Sequence, residues 1–296
     1  MIFALNSVSL GANNLRISNG IVSALDQAWL SIINLVISFA FISYGAKEDY
    51  GTYLLLLTPL YLFMGVQNAL ILSPIATVLP SASIAEKDTV YSTAIAAQVA
   101  FAILGALISC IGLAIYLYIV YGTISTGLIL GFGLAVAGAC AREGVRTIFY
   151  SIGNARGALK SDIAYGLGLI FLVGALSYFT LLTSTLALMA MGVSALWTYL
   201  FKLSHASRLS INSHVISKFW ACGRWALVGV LVTWVNLNAY TLVVGFSLSA
   251  AAVADINVAR LFLMPVALCG TAWSNLHRPQ ISAWASKKKF PKIRVL

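Results

Sequence analysis

Long apolar runs separated by short polar stretches set the pattern of this chain. They fall at about 21–44, 52–74, 92–120, 123–141, 162–182, 185–203, 218–246 and 250–277, each near the ~20 residues that an α-helix needs to cross ~30 Å of hydrocarbon. Eight membrane-spanning helices are predicted. The fourth run can continue as helix through "REGVRTIFYS", and the first can begin earlier, in "SLGANNLRISNG". The gaps after the first, third, fifth and seventh runs are short. The spans therefore pair as four tight hairpins, joined on the other side by longer basic segments.

Composition agrees with that reading. Of the 296 residues 60% are hydrophobic and 9% charged, with a mean hydropathy of +0.94, whereas a soluble domain carries about 25% charged residues. Met1 to Leu10 lacks a basic stretch before a short apolar core and small-residue cleavage site, so no cleavable signal is expected and the first helix serves as its own insertion signal.

The net charge of +10 does not point to nucleic acid, because the bases lie between apolar spans. Short loops rich in Lys and Arg stay cytoplasmic during insertion. With the N-terminus inside, sixteen of the eighteen bases fall on inner segments, Lys47 alone lies outside and Arg260 sits within a span. Both termini are therefore expected in the cytoplasm. Tyr44, Tyr50 and Tyr53 flank the first outer loop, Tyr116, Tyr118 and Tyr121 the second, and Trp220, Trp225 and Trp284 lie near inner ends, where amphipathic rings favour the interface. Gly127, Gly131 and the alanines of the third and fourth runs suit close helix contacts.

Cys110, Cys140, Cys222 and Cys269 have no short paired spacing, which indicates neither a disulfide framework nor a zinc site. His205 and His214 lie in a basic loop and His277 at a helix end, far from paired carboxylates, and "GLILGFG" has no P-loop lysine. No catalytic constellation, metal or cofactor is expected, and an ATP-driven pump is not.

The first hairpin and the last echo one another. Each has a small-residue loop with an acid near its outer end, followed by a helix containing a proline, Pro59 or Pro265, with Gly51 and Ala254 in rough register. Six crossings separate them, and an even number preserves direction. This is the relation of parallel repeats about an axis along the membrane normal.

Three stretches, "DQAWLSIINLVISFAFISYGAKEDYGTYLLLLTPLYLFMGVQNALILSP", "REGVRTIFYSIGNARGALKSD" and "GRWALVGVLVTWVNLNAYTLVVG" with "NVARLFLMPVAL", resemble the polysaccharide-biosynthesis flippases of the multidrug/oligosaccharidyl-lipid/polysaccharide exporter superfamily. The resemblance implies two six-helix lobes around a central cavity. It also implies movement of a polyprenyl-pyrophosphate-linked oligosaccharide from the cytoplasmic to the outer leaflet of a bacterial inner membrane, for surface polysaccharides such as lipopolysaccharide O-antigen. Such proteins usually have twelve or more spans. Eight would supply an N-terminal six-helix lobe at 1–217, the first hairpin of an incomplete second lobe at 218–286 and a basic cytoplasmic tail at 287–296 that attracts anionic lipid. A basic residue common near the end of the family's first helix is replaced by Ser43 and Tyr44.

Flipping breaks no bond; it requires a path on which a polar head group is never stranded in hydrocarbon. Arg260, ~15 Å from an outer boundary near Ala250, is the first candidate for the pyrophosphate; a structural ion pair with Asp255 or Asp26 is its other reading. Asp26, only ~7 Å inside the inner boundary, is open to three: an interfacial or structural acid, a gating ion pair, or a proton-exchanging group. Asp255 joins it as a gating candidate. Arg142 and Arg146, four apart with Glu143 between them, either gather phosphate at the inner mouth or snorkel to head groups, and Arg224 follows the same logic. Gln67 and Asn68, with Gln98, Asn236 and Asn238, suit either sugar hydroxyls or interhelical hydrogen bonds.

Translocation of a lipid-linked glycan, coupled to H+ or Na+, is the leading expectation. The alternatives are a multidrug cation exporter of the same superfamily, a shortened inactive relative, a chain completed by a second copy, and a polytopic glycan-processing enzyme. Tiny outer loops weigh against the enzyme.

Overall fold

Apolar runs dictate helix, because a chain in hydrocarbon must satisfy its own backbone hydrogen bonds. The structure, a computed structural model, describes residues 12–203 and 210–261, with the backbone alone at 12–20, 80, 81, 84, 85 and 199–203. Every regular element among the described residues is a helix: α1 (Ala12–Tyr44), α2 (Lys47–Gln67), a π-helical turn (Asn68–Leu72), α3 (Ser73–Ser81), α4 (Ile84–Tyr121), α5 (Thr126–Ser151), α6 (Ala155–Tyr178), α7 (Ser184–Leu203), α8 (Ser213–Ser247) and α9 (Ala250–Leu261). Six apolar stretches are long enough to cross a membrane, and Ser184–Thr198 is a shorter apolar helix. The chain is a helical, multi-pass membrane protein. Where they are described, the predicted runs fall on helix, the second across α2, the π turn and the start of α3, and the last only as far as Leu261.

The four hairpin turns are short, as the spacing requires. α1 and α2 are separated by Gly45 and Ala46, and α8 and α9 by Leu248 and Ser249. The segments on the opposite side differ from expectation, because only Ala82 and Ser83 separate α3 from α4, and 152–154 separate α5 from α6. Helix continues past the apolar residues into polar sequence that supplies its own caps. Ser83 and Glu86 form a reciprocal capping box at the start of α4. The Asn154 side chain accepts from the Gly157 amide at α6, and that of Asn212 from the His214 and Val215 amides at α8.

α5 is the central rod, packed on α4 and α7 and also on α2, α3 and α6. Its buried face is made of Gly131, Gly133, Ala135, Gly138 and Ala139, whose small side chains let neighbouring backbones approach. α1 packs along α6. α8 lies against α2, the π turn and α3, where Ile71, Leu72 and Ile75 meet Val90 and Ala94 of α4 and Val215 and Phe219 of α8. The Trp234 indole nitrogen donates to the Thr58 carbonyl at 2.8 Å, tying α8 to α2 just before Pro59. Phe41 stacks on Tyr50 and tilts against Tyr53, with centroids 5.3 and 5.2 Å apart, closing the first hairpin.

Gly51 has no side-chain space at all: a Cβ there would fall on the backbone of Ala250. The tips of the first and last hairpins therefore touch, at Gly51 and Ala250. Met1–Ala254 form one compact unit and Asp255–Leu296 another, of which 255–261 are described. Pro265, Cys269, His277, His205, Arg208, the rest of the predicted last hairpin and the basic tail at 287–296 lie outside the described residues.

Candidate functional site

Three helices bring charged side chains to one place near the end of the bundle at which α1 starts, α5 ends and α6 starts. Arg146 and Asp162 lie ~8–10 Å in from their helix ends at ~1.5 Å per residue, and Asp26 lies ~8 Å in from the start of the α1 apolar span at Ile21. Asp26 and Asp162 are both fully buried, 0% exposed. Arg146 of α5 stands between them. Its Nε and one terminal nitrogen donate to Asp26 Oδ2 at 3.1 and 2.9 Å, and the same Nε lies 3.1 Å from Asp162 Oδ2. Tyr150, one helical turn on, donates its hydroxyl to Asp26 Oδ2 at 2.6 Å.

Arg142, one turn before Arg146, completes the group. It hydrogen bonds Glu143 at 2.9 Å, lies 3.9 Å from Asp162 Oδ1 and covers the Tyr165 ring with its guanidinium carbon 4.3 Å from the centroid. Glu143 reaches Arg146 at 3.5 Å. The Arg142, Arg146 and Glu143 side chains keep 11%, 13% and 17% of their surface, so they form a thin accessible rim over two sealed carboxyls. Trp29 of α1 donates its indole N–H to the backbone carbonyl of Asp162 at 2.9 Å, which fixes α6 to α1 beside the acids. Such a network compensates charge that hydrocarbon would otherwise penalise by several kcal/mol.

A polar layer adjoins it on α5. Gln67 and Gln98, both buried, donate their amide nitrogens to the Cys140 carbonyl at 2.8 and 2.5 Å. Gly144 makes room: a Cβ there would overlap the Gln98 amide. Immediately after Gln67 the chain makes the π turn, a local widening that recurs at functional positions in helices.

The predicted site residues thus separate. Asp26, Arg142 and Arg146 come together, Asp26 in an ion pair with Arg146. Gln67 makes an interhelical bond, whereas Asn68 is exposed and accepts from the Ser73 hydroxyl at 2.8 Å. Arg224 is exposed on α8, its guanidinium 5.5 Å from the Trp225 ring. Asp255 and Arg260 are exposed on α9. Asp162, Tyr150, Tyr165 and Trp29 are additions that sequence reasoning did not single out. Asp162 carried the same signal as Asp26, an acid at the head of an apolar run, but it read as a span boundary. Among the described residues no group of three His, Cys, Asp or Glu is disposed to hold a metal.

No family model and no curated protein matches the chain. A solved structure with the name "protein A" is similar in fold, with a TM-score of 0.63 and 17% identity over 94% of this chain and 66% of that one. The chain thus spans about two thirds of the length of that neighbour. Identity at this level speaks to the fold alone.

Proposed function

We propose that this chain translocates a polyprenyl-pyrophosphate-linked oligosaccharide across a bacterial cytoplasmic membrane by alternating access, with its termini on the cytoplasmic side. The observation that carries a transport reading is the Asp26–Arg146–Asp162 network, which ties α1, α5 and α6 together inside an otherwise apolar bundle. Ionisable groups at that depth mark ion paths and switching contacts more often than they serve packing alone. The choice of glycan lipid comes from the resemblance of the first hairpin, the α5–α6 segment and α8 to the polysaccharide flippases. Arg260, Arg224, Arg142 and Arg146 are the bases assigned to the pyrophosphate, and Asp26 and Asp255 the acids assigned to gating.

A multidrug exporter would need its acids available to a cationic drug. Here Asp26 is already bound by an arginine and a tyrosine, which favours a gate over a drug site. A chain that completes its wall with a second copy is supported by α8, most of whose apolar side chains are exposed, among them Val228, Val232, Val235 and Leu237.

The test is uptake of labelled lipid-linked oligosaccharide into the protected leaflet of proteoliposomes. Arg260→Ala is expected to abolish flux, and full flux in a correctly inserted variant removes Arg260 from the substrate path. Cross-linking in the same vesicles decides whether flux follows the single chain or a pair.

A further inference from the structure

α6 presents a line of charged and apolar residues that no described helix covers. Its buried face, made by Ala158, Asp162, Tyr165 and Leu169, packs toward α1, α5 and α7. On the opposite side, at the spacing that repeats along one helix face, stand Arg156, Lys160, Ile163, Leu167 and Phe171, all exposed. The 24 residues of α6 measure ~36 Å at ~1.5 Å each, about 6 Å more than the ~30 Å of hydrocarbon. Arg156 and Lys160 therefore lie at head-group level where α6 starts. From Lys160 to Phe171 the line runs ~16 Å, the depth of one leaflet.

The two bases are placed against their own electrostatics. Like charges four residues apart on a helix repel, and cations at a helix start oppose its dipole. Yet α6 has no acid in its first turn, and no described acid forms an ion pair with either base. The other basic helix ends are balanced. α4 opens with Glu86, Lys87 and Asp88, and Lys218 and His214 of α8 both interact with that Glu86. Arg224 lies by the Trp225 ring, and acids hold Arg142 and Arg146. Among the described helix ends, the start of α6 is where two unpaired bases continue into an exposed apolar line.

We propose that Arg156 and Lys160 bind the phosphate of one anionic phospholipid, with an acyl chain laid along Ile163, Leu167 and Phe171. One phosphate bridges two bases a turn apart, so the repulsion between them becomes a shared attraction. The guanidinium supplies a planar set of donors, and the ammonium a point charge on a stem long enough to reach the same head group. A zwitterionic head group brings an ammonium of its own and satisfies the pair less well. The site thus selects net negative charge together with an acyl chain. Bases that only set topology need no alignment with an apolar line.

The test takes the full chain, delipidated in detergent, and follows added phosphatidylglycerol or phosphatidylethanolamine by native mass spectrometry. One phosphatidylglycerol per chain is expected to be retained in preference to phosphatidylethanolamine. A base near a membrane surface changes binding about fivefold, so Arg156→Gln and Lys160→Gln should each weaken retention ~5-fold and the double variant ~30-fold, at an unchanged thermal midpoint. Lys87→Gln, at the start of α4, should leave retention as it was. A second measurement needs no variant to fold. In the unaltered chain, phosphatidylglycerol with a photoreactive group midway along its acyl chain should label the segment holding Leu167 and Phe171 above those of α4 and α8.

Retention without head-group preference, an equal loss in Lys87→Gln, or labelling spread evenly over α4, α6 and α8 overturns the site and leaves the two bases as determinants of topology only. Full competition by inorganic phosphate would make it an ion site. Displacement by an equal amount of a polyprenyl phosphate would make it an entry port for substrate. Either result also rejects a phospholipid.

Discussion

Arg146→Ala would leave Asp26 and Asp162 sealed in the bundle without the cation that touches both. Removing one partner of a buried pair costs roughly 3–5 kcal/mol. The variant is expected to unfold at correspondingly lower denaturant in detergent, followed by helical circular dichroism. Arg146→Lys should recover only part of that loss, because an ammonium cannot reproduce the guanidinium's planar set of donors across two carboxyls. A wild-type midpoint for Arg146→Ala would show that the network carries no stability. At Gly144 the expected change is smaller and conditional. Gly144→Ala displaces the Gln98 amide from the Cys140 carbonyl and should cost about 1–3 kcal/mol, and most of that cost should disappear in a Gln98→Ala background. Equal costs in the two backgrounds would mean that the methyl group meets something else.

These residues also mark what the sequence made legible. Asp26 drew notice because an acid stands out in "SALDQAWL", and the spacing of Arg142 and Arg146 placed both on one side of α5. Nothing local related residue 26 to residue 146 or 162, since the helices between them are set by packing of small residues that many arrangements satisfy. Gln67 and Asn68 looked alike as adjacent amides. One helical step of about 100° sends one into the bundle and the other out of it.

At the scale of elements, hydropathy located the apolar body of each helix, and short polar motifs fixed where it ends. α4 begins at Ile84 rather than near 92 because Ser83 and Glu86 cap it, and α6 begins at Ala155 because Asn154 does. Contacts between helices rest on groups that hydropathy does not weigh. Trp234→Phe keeps the ring but removes the donor to the Thr58 carbonyl. Interhelical bonds of this kind contribute about 0.6 kcal/mol in membranes, so a small, reproducible loss of stability is expected, and none at all would place water on that carbonyl. Gly51→Ala is more severe. The backbone of Ala250 cannot rotate out of the way as a side chain can, so the variant should cost about 1–3 kcal/mol and should loosen the tip between α2 and α9. Faster hydrogen exchange confined to those two tips would report it; unchanged exchange would mean that the hairpins are not held there.

For the whole molecule, the distribution of basic residues predicts which side is which. An introduced cysteine at Thr123, in the α4–α5 turn, should react with a membrane-impermeant maleimide added outside intact cells, after the natural cysteines are replaced. One at Asn154, in the α5–α6 turn, should react only after permeabilisation. The reverse result would invert the chain and move the Asp26 cluster to the opposite face. The multi-pass helical character was legible because hydrocarbon thickness imposes a length on every run. The arrangement of helices around α5 was not, because glycine and alanine permit close approach without specifying a partner.

The indole of Trp29 is bonded to the main chain of the same residue whose carboxyl lies against Asp26. An indole ring reports the electric field around it through the colour of its emission. The molecule therefore carries a native optical probe beside its buried acids, and subtracting the spectrum of Trp29→Phe from that of the parent chain isolates its signal from those of the other six tryptophans. Any event that alters charge at Asp162, whether acid, mutation or transport, becomes visible in that difference without a dye.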